Sequence, residues 1–302
     1  MKKNISKIPS FDDPTIYTKK KIIDEEITFS KEGFPLPAQI EISESGMCNR
    51  KCSFCPRSDP DYKHVNEFIT NELVNKLTLE LKELNYTNMI LFSGFVEPLL
   101  DKNIFNIIKI IRNNLKKSRI HMVSNGDVLN KERTLKLFKS GLSRLLISIY
   151  DGPEAEKKMY DLMHSCNLTD DQYKIRKRYL SEEETFGIKL SNRGGMMKNA
   201  KYKIKNPSES LVRPCNYPAY TFFIDYNGDV LMCTHDWGKK FIIGNLNQES
   251  FKDLWLSQKW MEARHKLSLG KRDFSPCNVC DVDGMKMGGR HVEAWNDFTN
   301  KK

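Results

Sequence analysis

Ala38-Gln39-Ile40-Glu41-Ile42-Ser43 alternates apolar and polar residues, and after four intervening residues comes Cys48-Asn49-Arg50-Lys51-Cys52-Ser53-Phe54-Cys55-Pro56. The first stretch has the period of a half-buried strand. The second places three cysteines on one short loop with the spacing C-x3-C-x2-C. Three thiolates so placed can ligate three corners of a cubane iron–sulfur cluster, leaving the fourth iron open to an exogenous ligand. Gly46 and Pro56 bracket the loop and let the chain fold back instead of continuing the strand. Zinc is the rival occupant, although a closed structural zinc site takes four protein ligands.

Strand and helix patterns alternate downstream. A helix is expected over 70–84, with Leu73, Leu77, Leu81 and Leu84 on one face. Strand Met89–Phe92, helix 103–115, strand Ile120–Val123, helix 131–139 and strand Leu145–Ile149 follow. A weaker helix (153–164), a strand near Tyr173–Tyr179 and a last strand near Gly187–Ser191 complete the series, which ends at Asn192-Arg193-Gly194-Gly195. Such alternation predicts a parallel sheet wrapped by helices. Six units suggest a partial α/β barrel with its active site at the C-terminal strand ends.

Upstream, residues 1–36 are polar and interrupted by prolines, as in an N-terminal extension. Beyond about 205 the texture changes. Tyr226-Asn227-Gly228 between two strand-like runs signals a hairpin, a helical stretch covers about 249–267, and Pro276-Cys277-Asn278-Val279-Cys280-Asp281 closes the region. The expected division is therefore 1–36 extension, 37–205 barrel and 206–302 smaller cysteine-bearing domain. No solenoid-type repeat or low-complexity tract is visible.

Composition suits a soluble globular chain: 302 residues, 39% hydrophobic and 29% charged. No apolar run approaches the ~20 residues of a membrane span, and no apolar core follows the basic start as in a signal peptide. The expected location is the cytoplasm, without a membrane partner. A net charge of +10 could serve nucleic acid, but the basic residues are scattered, with short groups at Lys19–Lys21 and Lys201–Lys205. A nucleic-acid partner is not expected, and a phosphorylated small substrate would use the same charge.

The eight cysteines fall into groups, which in a reducing compartment argues for metal or redox chemistry. Cys215, Cys233, Cys277 and Cys280 form the second group. Four thiolates would close one [4Fe–4S] cluster completely, suiting it to electron transfer; they would also satisfy zinc. Cys166 belongs to neither group. It reads as a buried small hydrophobe, with hydrogen-atom donation to a substrate radical as the alternative.

The cysteine triplet after the first barrel strand resembles the hallmark of the radical S-adenosylmethionine (SAM) superfamily, with Phe54 as the aromatic before the third cysteine. The resemblance implies that SAM chelates the open iron and is cleaved to methionine and a 5′-deoxyadenosyl radical. Ser93-Gly94-Phe95-Val96-Glu97-Pro98 is similar to the family's G-G-E-P segment, which implies that Gly94 and Glu97 hold the SAM amino group; Val96 stands where the family has glycine. By the same resemblance Ser124, Asn125 and Ser148 contact SAM, and Arg176 or Arg178 meets its carboxylate.

The second cysteine set, with Asp236-Trp237, Gly244-Asn245-Leu246 and Leu254-Trp255, resembles the SPASM/twitch extension of that family. The resemblance spans roughly 38–285. It implies a partial (β/α)6 TIM-like barrel with a small C-terminal iron–sulfur domain of β-hairpin plus helix. It also implies two [4Fe–4S] clusters, SAM and an external donor such as flavodoxin or ferredoxin. No cysteine follows Cys280, so a single auxiliary cluster is expected. This combination is similar to aminocyclitol and sugar-alcohol dehydrogenases, and implies oxidation of a hydroxyl to a ketone with the auxiliary cluster taking the electron. Asn192 and Arg193 are expected to contact a hydroxylated or phosphorylated substrate. Epimerisation using Cys166, peptide or protein maturation, tRNA modification and a non-catalytic zinc protein are the alternatives. Only 47 residues precede Cys48, too few for the peptide-recognition domain of the maturases.

Overall fold

In the computed structural model, which describes residues 14–25, 27–181, 184, 187, 188, 190–197 and 204–301, helix α1 (Pro14–Glu25) precedes strand β1 (Gln39–Ser43). Four crossovers follow: α2 (Asn71–Glu83) to β2 (Met89–Phe92), α3 (Ile104–Asn114) to β3 (Ile120–Ser124), α4 (Lys131–Lys139) to β4 (Arg144–Ile149), and α5 (Pro153–Ser165) to β5 (Tyr173–Lys177). Two of these four helices, α2 and α4, begin where a side chain satisfies a free N–H group. Thr70 accepts from the Leu73 N–H at 3.2 Å, and Asn130 from the Arg133 N–H at 2.9 Å.

A short helix α6 (Tyr217–Tyr220) feeds β6 (Thr221–Asp225), which turns into β7 (Asp229–Leu231) and then β8 (Ile242–Asn245). Helices α7 (Phe251–Trp255), α8 (Gln258–Ser268) and α9 (Gly289–Asn300) end the chain. The sheet order is β5-β4-β3-β2-β1-β6-β7-β8, parallel from β5 to β6 and antiparallel beyond.

Two expectations need correction. The sixth parallel strand is β6, beside β1 in the register Gln39↔Thr221 to Ser43↔Asp225; no strand forms over the described part of Gly187–Ser191, where Gly187 has φ +65°. The helical stretch at 249–267 is two helices, because Ser257 leaves the first and caps the second by accepting from the Trp260 N–H at 3.3 Å. The sheet runs without a break across the expected 205/206 boundary.

Strand alternation sorts residues into a core and an interior. Ile40, Ile42, Ile90, Phe92, Met122 and Ile147 face the helices and are buried. Their neighbours Glu41, Leu91, Val123 and Ser148 face the barrel cavity.

Helix α1 falls in the expected extension, whose residues 1–13 lie outside those described. It is docked: Ile23 is buried with Ala38, Tyr220 and Met287, and the backbone N–H of Gly288 donates to Asp24 at 2.7 Å. Arg290 donates to the carbonyls of Asp24 and Glu25 at 2.7 and 3.1 Å. No helix among the described residues is long and apolar enough to cross a membrane.

Candidate active site

The triplet loop leaves the C-terminal end of β1 and is fastened by two arginines. Arg57 is buried; its Nε donates to the Phe95 carbonyl at 2.6 Å and its Nη2 to the Gly46 carbonyl at 3.0 Å. Arg50 forks onto Asp127 (2.7 and 2.5 Å) and Asp151 (3.0 and 2.5 Å), tying the loop to the ends of β3 and β4. Asn49 donates to Asp127 and accepts from Asn125, each at 2.7 Å.

The three thiols are half-buried and gathered. Burial, then the neighbouring Cys55 and Cys48, push the Cys52 thiol up to about 12; burial also raises Cys48 and Cys55. Thiols so desolvated stay protonated at neutral pH unless a metal displaces the proton.

Above the barrel interior lies a cavity of about 450 Å³. Every residue expected at SAM lines it: Phe54, Gly94, Glu97, Ser124, Asn125, Ser148, Arg176 and Arg178. Phe54 stacks on Tyr150, with ring centroids 6.1 Å apart. Gly94 has φ +101°, and a Cβ there would meet Ser43 and Phe223 at 3.0 Å, so glycine is required. Glu97 is buried and accepts from the Ser124 hydroxyl at 2.7 Å and from the backbone N–H groups of Leu99 and Asn125 at 3.1 and 2.6 Å. Burial raises its carboxyl pKa, against the pull of those bonds. Arg176 faces inward and donates to the Ser148 hydroxyl at 2.7 Å. Arg178 is the more buried of the two arginines, and its guanidinium meets the carbonyls of Lys177 and Gly187.

Cys215, Cys233, Cys277 and Cys280 line one small, enclosed cavity. Burial raises all four thiols, with Cys280 reaching about 11. Arg272 braces the pocket by donating to the carbonyls of Arg213, Pro214, Val282 and Asp283 at 2.7–3.0 Å. Its positive charge favours the thiolates of Cys215, Cys277 and Cys280. Among the described residues no three Cys, His, Asp or Glu side chains stand close enough to share one metal ion.

The chain matches the Radical SAM superfamily over residues 42–180 and an iron–sulfur cluster-binding domain, SPASM, over 215–281. The chain belongs to the radical SAM superfamily. This radical SAM enzyme is 27% identical over 246 residues to the S-adenosyl-L-methionine-dependent 2-deoxy-scyllo-inosamine dehydrogenase of Niallia circulans, covering 81% of this chain and 92% of that one. Its fold is similar to the crystal structure of BtrN in complex with AdoMet and 2-DOIA, with a TM-score of 0.70 and 23% identity over 86% of this chain and 98% of that one. It is also similar to anSMEcpe with bound AdoMet, with a TM-score of 0.51 and 12% identity over 88% and 94%. The radical SAM domain implies a [4Fe–4S] cluster and SAM, and SPASM implies a further cluster.

One expected substrate contact of this radical SAM enzyme is not brought to the cavity. Asn192 is fully buried, its amide donating to the Val279 carbonyl at 2.5 Å and its backbone N–H to Asp281 at 2.9 Å. It pins the turn onto the Cys277–Cys280 loop. Arg193 does line the cavity; burial lowers its guanidinium, against the opposing pull of Cys55, Tyr217 and Asp281.

Sequence reading missed Lys19, Glu41, Tyr217, His235 and Trp237, all on the cavity wall. Glu41 was findable from the inward period of β1. Burial lowers the Lys19 amine and raises the Glu41 carboxyl, while each charge supports the other. Cys166 lies outside the cavity lining, buried at the end of α5 with its sulfur 3.9 Å from the Lys131 carbonyl.

Proposed function

We propose that this radical SAM enzyme oxidises a ring hydroxyl of a cyclitol, aminocyclitol or sugar to a ketone. The observation that carries the reading is a shared wall: Tyr217 and His235 line both the large cavity and the small four-cysteine cavity. His235 donates its backbone N–H to the Cys233 sulfur at 3.4 Å, and its ring meets the Tyr217 hydroxyl at 3.2 Å. A substrate in the large cavity is therefore one side-chain layer from an electron acceptor. The dehydrogenase from Niallia circulans supports the same substrate class.

On this reading Cys48, Cys52 and Cys55 hold the open cluster, and Cys215, Cys233, Cys277 and Cys280 the closed one. When bound, the first cluster with SAM supplies the hydrogen-abstracting 5′-deoxyadenosyl radical and the second supplies the electron acceptor. The protein's own residues orient and shield. Gly94 leaves room for the SAM amino group and Glu97 anchors the wall beside it. Arg176 with Ser148 offers donors to a carboxylate or ribose, and Trp237, packed on Phe95 at 4.6 Å, helps close the site. The substrate carbon loses a hydrogen atom, its hydroxyl a proton, and the remaining electron leaves through the Tyr217–His235 wall.

Residues 37–205 then form the radical-generating part and 206–302 the electron-accepting part, with 1–36 added in front. A flavodoxin- or ferredoxin-like donor in a reducing cytoplasm completes the electron supply. The remote position of Cys166 argues against epimerisation, which needs a hydrogen donor in the cavity.

The test is anaerobic incubation of the reconstituted enzyme with SAM, reductant and ring-deuterated 2-deoxy-scyllo-inosamine, myo-inositol or myo-inositol 1-phosphate. Deuterium in 5′-deoxyadenosine with a matching ketone is expected for at least one. SAM cleavage with no ketone from any of the three refutes the reading.

A further inference from the structure

We propose that Lys19, carried into the barrel by α1, is a specificity-determining residue that turns the cavity toward a ring bearing an acidic group, phosphate or carboxylate, and away from one bearing an ammonium group. The inference rests on the dehydrogenase reading for the location of the substrate.

The helix is placed deliberately. Ile16, Lys19 and Ile22 share one face and line the cavity. The residues after the last cysteine hold the other side: Lys20 reaches the Lys286 carbonyl at 3.1 Å, the backbone N–H of Gly288 reaches Asp24 at 2.7 Å, and His291 meets the Ile23 carbonyl at 3.0 Å. Both ends of the chain thus cooperate to hold Lys19 where it is.

Charge inside the cavity is lopsided. Among the described residues it holds two carboxylates, Glu41 and Glu97. Glu97 is occupied by the Ser124 hydroxyl and two backbone N–H groups. Glu41, which accepts from Ser93 at 2.5 Å and Gln39 at 2.8 Å, is left as counter-ion for a bound ammonium group. Lys19 enters the same cavity from α1 and supplies positive charge to that carboxylate, against the burial that lowers the amine and raises the carboxyl.

The cations are more numerous. Arg50 is held by two aspartates, and Arg57 and Arg178 by backbone carbonyls. Arg176 is engaged by Ser148, and Arg144, Lys174 and Arg193 also line the cavity. A SAM carboxylate needs one of these. The rest leave a positive surface that attracts an oxyanion, and arginine presents paired donors suited to phosphate or carboxylate.

Isothermal titration of the SAM-loaded holoenzyme with four ring probes tests this. The probes are myo-inositol, myo-inositol 1-phosphate, glucuronate and 2-deoxy-scyllo-inosamine. At least one acidic probe is expected to bind about tenfold or more tighter than myo-inositol, the effect of one charge-assisted hydrogen bond, and the amine no tighter than myo-inositol. The stronger acidic probe tells phosphate from carboxylate. Lys19→Met should weaken that probe about tenfold, and Lys19→Arg should restore it. Should Lys19→Met fail to hold iron, Glu41→Gln, which keeps Lys19, must tighten the acidic probe. The proposal is overturned if the amine binds tightest to the unaltered enzyme. It also fails if iron-loaded Lys19→Met binds the acidic probe unchanged, or if Glu41→Gln does not tighten it. Acid preference without deuterium transfer from any ring would sink the dehydrogenase reading alone; deuterium transfer with amine preference would sink only this one.

Discussion

Replacing Arg57 by Met should release the triplet loop while sparing the rest of the fold. The side chain is 2% exposed and follows the third cysteine by two residues. Its guanidinium joins the ends of β1 and β2 through the carbonyls of Gly46 (3.0 Å) and Phe95 (2.6 Å), and it lies over the Tyr62 ring at 5.0 Å. Methionine keeps much of the aliphatic stem and removes every donor. The Phe95 carbonyl then loses its charged partner, whereas the Gly46 carbonyl keeps the Val65 N–H at 3.4 Å. Losing one charge-assisted bond outright and weakening a second costs about 2–4 kcal/mol. At 1.4 kcal/mol per decade, the closed-to-open ratio of the loop falls roughly 30- to 700-fold. Because total stability of a domain is about 5–15 kcal/mol, the barrel survives. The assay is iron per chain after anaerobic reconstitution and a chelator challenge. About eight irons for two [4Fe–4S] clusters should drop to about four, those of the four-cysteine site. Arg57→Lys, able to reach one carbonyl, should fall between. An Arg57→Met protein that keeps its full iron against chelator, and binds SAM as before, would refute the reasoning.

Arg50→Lys keeps the charge but loses both forks. With Arg50 and both aspartates partly exposed, solvent screening limits the cost to about 1 kcal/mol, so cluster loss to chelator should quicken by about fivefold and iron content at zero time should hold. Cys52→Ala should abolish SAM cleavage, whereas Cys233→Ala should keep cleavage and lose ketone formation; equal loss of both by Cys233→Ala would contradict separate roles. The docking of α1 should weaken in mild acid. Burial draws His291 down to about 4 despite the Ile23 carbonyl and Asp24. The docked ring is therefore neutral at pH values where a released one, with its ordinary value near 6.5, is protonated. That stability is full above about 6.5 and drains as pH falls toward 4. Hydrogen exchange of residues 14–25, corrected for intrinsic rate, should rise between pH 6.5 and 5, and His291→Gln should flatten the rise.

Local periodicity made most of the barrel legible. Helix α4 occupies the stretch its pattern indicated, and β1 to β5 sit where alternation put them. The exception is instructive. Thr221–Asp225 was legible as a strand, but the Asn-Gly turn after it announces only the antiparallel partner. Its parallel partner β1 lies far up the chain, out of reach of any local pattern. The cysteines were legible because ligand spacing is local. Lys19 was not: Lys19-Lys20-Lys21 reads as a solvated charge run, but at ~100° per residue one lysine enters the cavity, the next reaches Lys286 and the third stays exposed. Asn192 failed in the opposite sense. Its turn looked like a polar pocket, but a Cβ on Gly194 would lie 2.8 Å from the His235 carbonyl, showing that the turn is pressed against the second cysteine site.

The register between β1 and β6 has a chemical consequence. Four steps of ~3.3 Å between the first and last of the five paired residues separate the two ends of this strand pair by about 13 Å. The triplet loop starts from the upper end, after Ser43. Cys215, ahead of α6, and Cys233, just after β7, belong to the lower end. The segment Cys233–Lys239 then climbs back along the cavity: His235 meets Tyr217, Trp237 packs on Phe95, and Lys239 pairs with Asp225 at the top of β6. On the proposed reading, a ring held between these levels would sit between the two cysteine sets, with hydrogen abstraction at the upper end of the strand pair and electron release toward the lower one through the buried Tyr217–His235 wall.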